Sequence, residues 1–273
     1  MATVDPLSSW STALAAWAIP EHILRAAPES PWLLPKELFA RRADVQVDRP
    51  SGVALERAAE ALPAGGTVLD VGAGAGAASL PLRAAGTLIA VDENPALLGE
   101  LRSRATRSGL ETTAIVGRWP DVAAQVPSAD VVVCGHVLYN VPDIGPFVRA
   151  LDAHARRRVV VELTARHPLS GLNPLWRLFH GIDRPDRPTW EDAAAAIRAL
   201  GIEPQVQVYR RPAAAAVMSS FESLVRLTRI RLCLAPERYP EVAAALVERG
   251  ADRTNPATWA SNDPDLVALW WDA

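Results

Sequence analysis

The residues best suited to chemistry lie in one run, Val68-Leu69-Asp70-Val71-Gly72-Ala73-Gly74-Ala75-Gly76. Three glycines at alternate positions let a backbone turn tightly and approach a ligand with no Cβ in the way. Twenty-two residues after Asp70 stands Asp92, at the end of a second apolar run. A carboxylate there can accept hydrogen bonds from both hydroxyls of a ribose. Together the two signals point to a cofactor that contains a nucleoside. The spacing Gly72-x-Gly74-x-x-Ala77 also fits a dinucleotide loop. Asp70 separates the two readings. A carboxylate two residues before the first glycine repels a pyrophosphate crossing the loop and suits a cationic amine. A helix expected over Ala77–Ala85 would add unpaired N–H groups at its start.

Other residues could act on a substrate. Cys134-Gly135-His136-Val137-Leu138-Tyr139-Asn140 follows a strongly apolar run. His136 could serve as a general base toward a hydroxyl or amine, or could shape the pocket through hydrogen bonds. Tyr139 is a further catalytic candidate, or serves packing or substrate contact. Glu162 interrupts Val159-Val160-Val161-Glu162-Leu163. A carboxylate in such a run either faces a pocket or pairs with an arginine. His167 could face substrate or stand in a solvated loop. Arg118 and Trp119 follow the third expected strand, where Trp119 could stack on a base or cover a sheet edge. Arg156-Arg157-Arg158 reads as a solvated turn, where cations suit a helix C-terminus.

These residues need a scaffold. Short apolar runs at Thr67–Val71, Thr87–Val91, Thr112–Val116, Asp130–Cys134 and Val159–Thr164 alternate with helical stretches at Gly52–Leu62, Ala77–Ala85, Pro95–Ser108, Asp121–Val126 and Pro146–Ala155. That alternation predicts an α/β fold with a doubly wound, mostly parallel, seven-stranded Rossmann-like sheet. Near-continuous apolar strands fit a sheet covered on both faces. Gln205–Tyr209 and Leu266–Trp271 supply the last two strands. Residues 1–50 read as an N-terminal helical cap broken by prolines, with helices at Ser11–Ile19 and Pro20–Ala27. Trp10, Trp17 and Trp32 either dock this cap or line an apolar pocket. Residues 51–273 form the catalytic domain, with helical inserts late in the chain at about 165–200 and 212–262. Leu172–His180, a capping box at Thr189 and Asp192, Ser219–Cys233 and Glu237–Arg249 carry the helical signals there. The cap and the inserts are expected to surround the mouth of the site.

Composition narrows the class. The chain has 273 residues, 28 Lys plus Arg against 31 Asp plus Glu, and a formal net charge of −3. Lys36 is the only lysine. This balance argues against a nucleic-acid surface, which needs a basic face. Two cysteines, Cys134 and Cys233, cannot build a disulfide framework or a Cys-rich zinc site. No run approaches the length of a membrane span, roughly 18 apolar residues. The first residues lack a basic leader, so a cytoplasmic protein is expected.

The block Asp70–Gly76 resembles the first motif of class I S-adenosylmethionine-dependent methyltransferases, and Val91-Asp92 resembles their acidic second motif. The resemblance covers about residues 50–165. It implies S-adenosylmethionine as cofactor, S-adenosylhomocysteine as product, and no metal. It implies that Asp70, Gly72, Ala73, Gly74 and Gly76 hold the methionine end and that Asp92 holds the ribose with Glu93 beside it. Arg118 and Trp119 would lie near the adenine, and Cys134 and Gly135 would face the methyl donor. Many family members carry a carboxylate after the third strand; here that place reads Val116-Gly117-Arg118-Trp119. The expected reaction is SN2 transfer of a methyl group to an oxygen or nitrogen of a small metabolite, by a monomer or homodimer. RNA or protein methylation and a non-catalytic binding module are the alternatives.

Overall fold

The apolar runs become the middle of one seven-stranded sheet. The computed structural model describes residues 5–32, 36–210, 220–256, 259 and 265–273. Its first helices are α1 (Pro6–Ala15), α2 (Glu21–Ala26), α3 (Lys36–Asp48) and α4 (Val53–Ala61). Next come β1 (Gly66–Val71), β2 (Ala85–Asp92), α5 (Pro95–Arg107), β3 (Glu111–Val116) and β4 (Ala129–Gly135). Then follow α6 (Ile144–His154), β5 (Ala155–Thr164), α7 (Asn173–His180), α8 (Trp190–Ala199) and β6 (Gln205–Tyr209). The chain closes with α9 (Phe221–Arg231), α10 (Tyr239–Glu248) and β7 (Leu266–Asp272).

The strand order is β3-β2-β1-β4-β5-β7-β6. Strands β1 to β5 pair in parallel, and β7 runs antiparallel to both β5 and β6. The order reverses between β1 and β4, where open α/β sheets bind ligands beyond the carboxyl ends of their strands. Side chains of β1, β4 and β5 are buried on both faces, which explains runs without polar alternation. One face packs Leu69, Val71, Val132 and Val161 with α1, α6 and α8. The other packs Val68, Leu88, Val131 and Val133 with α4 and α5.

Prolines and caps decide several boundaries. Helix α1 starts at Pro6, earlier than the expected Ser11, because Asp5 caps it: its carboxylate accepts from Leu7 N at 3.3 Å and Ser8 N at 3.1 Å. A side-chain cap of this kind is worth about 1 kcal/mol. The capping box at Thr189 and Asp192 is present and opens α8. The helix expected over Ala77–Ala85 does not form; residues 74–81 make a succession of turns. Pro81 has no N–H to bond back into a helical turn. Leu80 N reaches Gly76 O at 3.0 Å, but Leu82 N already bonds to Ser79 O. Helix α3 lies between Pro35 and Pro50 and was not anticipated from the sequence.

The tryptophans of the cap divide. Trp10 is fully buried, and its indole N–H donates to Val141 O at 2.8 Å. Trp17 is buried and donates to Arg187 O at 2.6 Å. Both dock the cap. Trp32 is half exposed. Helices α2, α7, α9 and α10 share a separate apolar cluster around Leu175, Trp176, Val225 and Leu246. Residues 212–219, 257–258 and 260–262 of the second expected insert lie outside the described residues.

Candidate active site

A cavity of about 800 Å³ opens at the switch point between β1 and β4. Ligand sites commonly span roughly 300–1,000 Å³, so there is room for a cofactor and a small acceptor. Its floor is the loop Val71–Ala75 with Gly135, and Asp92 and Glu93 stand along one side. Phe39, Arg42 and Gln46 of α3 cover it, with Ser51, Ala54 and Leu55 nearby. The described residues of segments 165–200 and 212–262 contribute none of the lining. The cover is α3, from the N-terminal cap.

The glycine loop is shaped by its own hydrogen bonds. Gly72 N and Ala73 N both donate to Val91 O, at 2.8 and 3.0 Å. Gly74 N donates to Asp92 Oδ2 at 2.8 Å, and Gly76 N donates to Ala73 O. Gly72 sits at φ +72°, and a Cβ there would meet Val137 Cγ2 at 2.3 Å. Gly74 sits at φ +51°, where a Cβ would meet only Phe39 Cδ1, at 3.9 Å. The first position therefore serves close packing and the second leaves space beneath α3. Gly76 packs against Leu80 and does not line the cavity.

Asp92 Oδ2 holds Gly74, and its Oδ1 accepts from Asn94 N at 2.8 Å. Each carboxylate oxygen retains a second lone pair for a diol. Glu93 and Arg118 pair loosely at 3.7 Å on the exposed rim. Trp119 lines the cavity with its indole anchored to Phe147 O at 3.3 Å, and it packs edge-on against His154. Asp121, two residues later, also lines the cavity. It stands five residues beyond the end of β3, past the strand-end position where the resemblance places a carboxylate.

Asp70 departs from its expected place. It is fully buried, does not line the cavity, and neither carboxyl oxygen has a hydrogen-bond partner. Burial pushes it up to about 7; the nearby Ser79 hydroxyl pulls it down and the Asp92 charge adds to the rise. Its expected place facing the cofactor is thus corrected: the carboxyl lies behind the cavity wall. Cys134 lines the cavity, but burial, with the Asp70 charge, drives its thiol far above the usual range. It offers no thiolate.

Of the readings for Tyr139, packing is the one the structure shows, and the catalytic one is corrected. Its hydroxyl donates to Thr164 O at 2.8 Å, and its ring stacks on Trp10 away from the cavity. His167 neither faces the cavity nor stands in solvent. It is buried, stacks on Trp17 with ring centres 3.8 Å apart, and is lowered to about 3 by burial and then by Arg184 and Arg231.

His136 and Glu162 do line the cavity. His136 Nε2 lies 2.7 Å from Glu162 Oε1. Arg42 Nη2 reaches the same oxygen at 3.2 Å, and the Tyr209 hydroxyl donates to Oε2. Burial alone would raise Glu162; the His136 hydrogen bond and charge, with Arg42 and Tyr209, hold it at about 2. Both readings of Glu162 are therefore met: it faces the cavity and pairs with an arginine. Asn140 and Asp143 complete this rim. Among the described residues, no group of three His, Cys, Asp or Glu side chains could hold a metal ion. None of the helices there is long and apolar enough to cross a membrane.

Comparison with known proteins agrees with this geometry. A family model described as a methyltransferase domain matches residues 68–157. Over 90 residues the chain is 38% identical to a ubiquinone biosynthesis O-methyltransferase of Xanthomonas axonopodis pv. citri (strain 306). That match covers 32% of this chain and 38% of the relative, so it spans well under half the relative's length. The fold resembles an S-adenosylmethionine-dependent methyltransferase from Geobacter sulfurreducens, solved with S-adenosyl-L-homocysteine. The TM-score is 0.53 at 17% identity, covering 87% of this chain and 97% of that one. It also resembles a cyclopropane-fatty-acyl-phospholipid synthase-like protein from Lactobacillus casei ATCC 334, with TM-score 0.54, 14% identity, and coverage of 92% and 97%. Residues 68–157 thus match a methyltransferase domain, and the chain shares the fold of these two solved neighbours.

Proposed function

We propose that the chain transfers a methyl group from S-adenosylmethionine to an oxygen or nitrogen atom of a small molecule. One observation carries the cofactor part: the glycine loop turns four N–H groups inward and sits above a buried, unpartnered carboxyl group. Such a floor offers little to a phosphate and favours a ligand with a cationic end. When bound, S-adenosylmethionine supplies a sulfonium methyl; a bond to the acceptor atom forms as the carbon–sulfur bond breaks, with its electron pair going to sulfur. Asp92 would accept from the ribose hydroxyls, and Gly72, Ala73, Gly74 and Gly135 would bear on the methionine end. Trp119 and Asp121 would flank the adenine. His136, at the end of β4, would take the acceptor's proton.

Support for a small acceptor comes from the enclosure. Helix α3 covers the mouth with Phe39, Arg42 and Gln46, and the net charge of −3 gives no basic face for RNA. The name of the Xanthomonas relative points the same way for that protein. Calorimetric titration with S-adenosylhomocysteine, with NADH in parallel, tests the cofactor. Micromolar binding of the first alone is expected; NADH binding in its place would overturn the reading. Labelled methyl transfer to phenols and amines, with RNA as comparison, tests the acceptor, and label appearing only in RNA would refute it.

A further inference from the structure

We propose that Arg184 and Arg231, beside Trp32, form a second binding site, outside the main cavity, for a small flat organic carboxylate. Two guanidinium groups meet there in an aromatic depression with no acid to pair with.

Trp17, Pro31 and Trp32 of the N-terminal cap meet Trp176, Arg184 and Arg231 in a shallow surface depression. It shares no lining residue with the main cavity. The Arg184 guanidinium lies over two indoles, 5.5 Å from the ring centre of Trp17 and 5.0 Å from that of Trp176. Its Nη1 donates to Ala18 O at 2.9 Å and its Nη2 to Trp17 O, while Nε is buried with no hydrogen-bond partner. Arg231 Nη1 donates to Pro31 O at 2.6 Å. Each of these bonds ends on a neutral carbonyl. Among the described residues no carboxylate forms an ion pair with either arginine. Glu29, two residues before Pro31, pairs with Arg226 and Arg229 instead. Cys233 lies near Arg184, but burial raises its thiol, so it brings no counter-charge. His167, stacked on Trp17, is held neutral by burial and then by the two arginines, so it adds no charge of its own. Burial works against both guanidinium charges. Partly buried charge without a counter-ion is costly, and a bound anion offsets that cost.

The walls of the depression narrow the choice of anion. A guanidinium presents its N–H groups in one plane, and a carboxylate meets them in that plane. Arg184 already gives hydrogens to two carbonyls, and a carboxylate asks for fewer donors than a phosphate. Trp32 is half exposed and supplies a flat apolar wall at the edge. The depression encloses no room for a water molecule, so the ligand lies across its mouth, with its carboxylate on the arginines and its ring on Trp32. Merely stapling the cap to the rest of the fold would require donors to the carbonyls but no charge.

Indole ¹H–¹⁵N NMR of tryptophan-labelled protein, titrated with benzoate, tests the site. Trp32→Phe assigns the Trp32 signal among the nine tryptophans. A saturable shift of that signal is expected, with a dissociation constant of about 10 mM or tighter for so small a ligand. Arg231→Gln keeps an N–H donor and removes the charge; it should weaken benzoate at least about fivefold. Benzamide, similar in shape but neutral, should bind at least about fivefold more weakly than benzoate, and acetate, which lacks the ring, likewise. A pair of stapling arginines would show none of these differences. The proposal is overturned if Trp32 shows no saturable shift, or if shifts are confined to other indoles. It is equally overturned if benzamide or acetate matches benzoate, or if Arg231→Gln leaves the constant unchanged. Should Arg231→Gln fail to fold, the comparison of benzoate with benzamide on the wild type decides.

Discussion

Acid should dismantle the contacts around Glu162 in a narrow and calculable way. In an unfolded chain this carboxyl titrates at 4.5; in the fold its partners hold it at about 2. A group whose folded value is depressed contributes stability above its unfolded value and loses it as pH falls toward the folded one. The window is therefore pH 4.5 down to about 2. At 1.36 kcal/mol per pH unit the contribution is about 3 kcal/mol. Solvent screening takes little from it, since the side chain is only 19% exposed. Urea unfolding of the wild type and Glu162→Gln at half-unit steps from pH 7 to pH 2.5 measures it. The wild-type advantage should shrink by about 2 to 3 kcal/mol as pH falls from about 4.5 to the acid end. Asp70 titrates in the opposite sense, but identically in both proteins, so it cancels in the difference. A wild-type advantage independent of pH would refute the ion-paired geometry of Glu162.

Asp70→Asn should stabilise the ligand-free protein at pH 8, by up to a few kcal/mol, while weakening S-adenosylhomocysteine binding. Its raised value, about 7, means stability present below pH 3.8 and lost as pH rises through 7; melting temperature and calorimetry at pH 8 report the two effects. Gly72→Ala should cost about 1–3 kcal/mol, because its Cβ would meet Val137 at 2.3 Å in a left-handed backbone, and urea unfolding measures this. Asp92→Ala should lower S-adenosylhomocysteine affinity at least about tenfold, since it releases Gly74 and Asn94 and removes the proposed ribose acceptor. Tyr139→Phe should leave cofactor binding within about twofold and lower stability by about 1 kcal/mol, reflecting only the lost bond to Thr164.

The sheet was legible because its strands are short, β-branched and apolar on both faces, a pattern that serves no solvated element. The glycine loop and Asp92 were legible because their spacing follows from one strand–loop–strand unit. Two things misled. Ala77–Ala85 is rich in alanine and reads as a helix, yet Pro81 removes the donor the fourth turn residue needs. Tyr139 lies one helical step from His136, but the 3₁₀ turn at Leu138–Asn140 rotates it into the packing with Trp10. The Glu162 cluster was out of reach for a different reason. Arg42 and Glu162 are 120 residues apart, and Tyr209 is 47 residues beyond Glu162. No local period links α3, β5 and β6; only the closed sheet order, with β7 inserted before β6, brings them together.

The choice of cofactor turns on where N–H groups point, which sequence spacing does not report. A dinucleotide loop needs its amides, and the helix start behind them, aimed at a pyrophosphate. Here Gly72 and Ala73 give theirs to Val91 O, Gly74 gives its to Asp92, and no regular helix follows. The same bonds draw the loop toward β2 and leave Gly74 bare beneath Phe39. Asp70 then sets the sign of the field. Its carboxyl is buried below the loop without a partner, and a cationic ligand above the floor would favour its ionised form. Binding a cation and losing the Asp70 proton are thus coupled, so cofactor affinity should rise with pH up to about 7 and level off above it. A phosphate ligand would impose the reverse dependence, because each step toward ionised Asp70 would repel it more strongly.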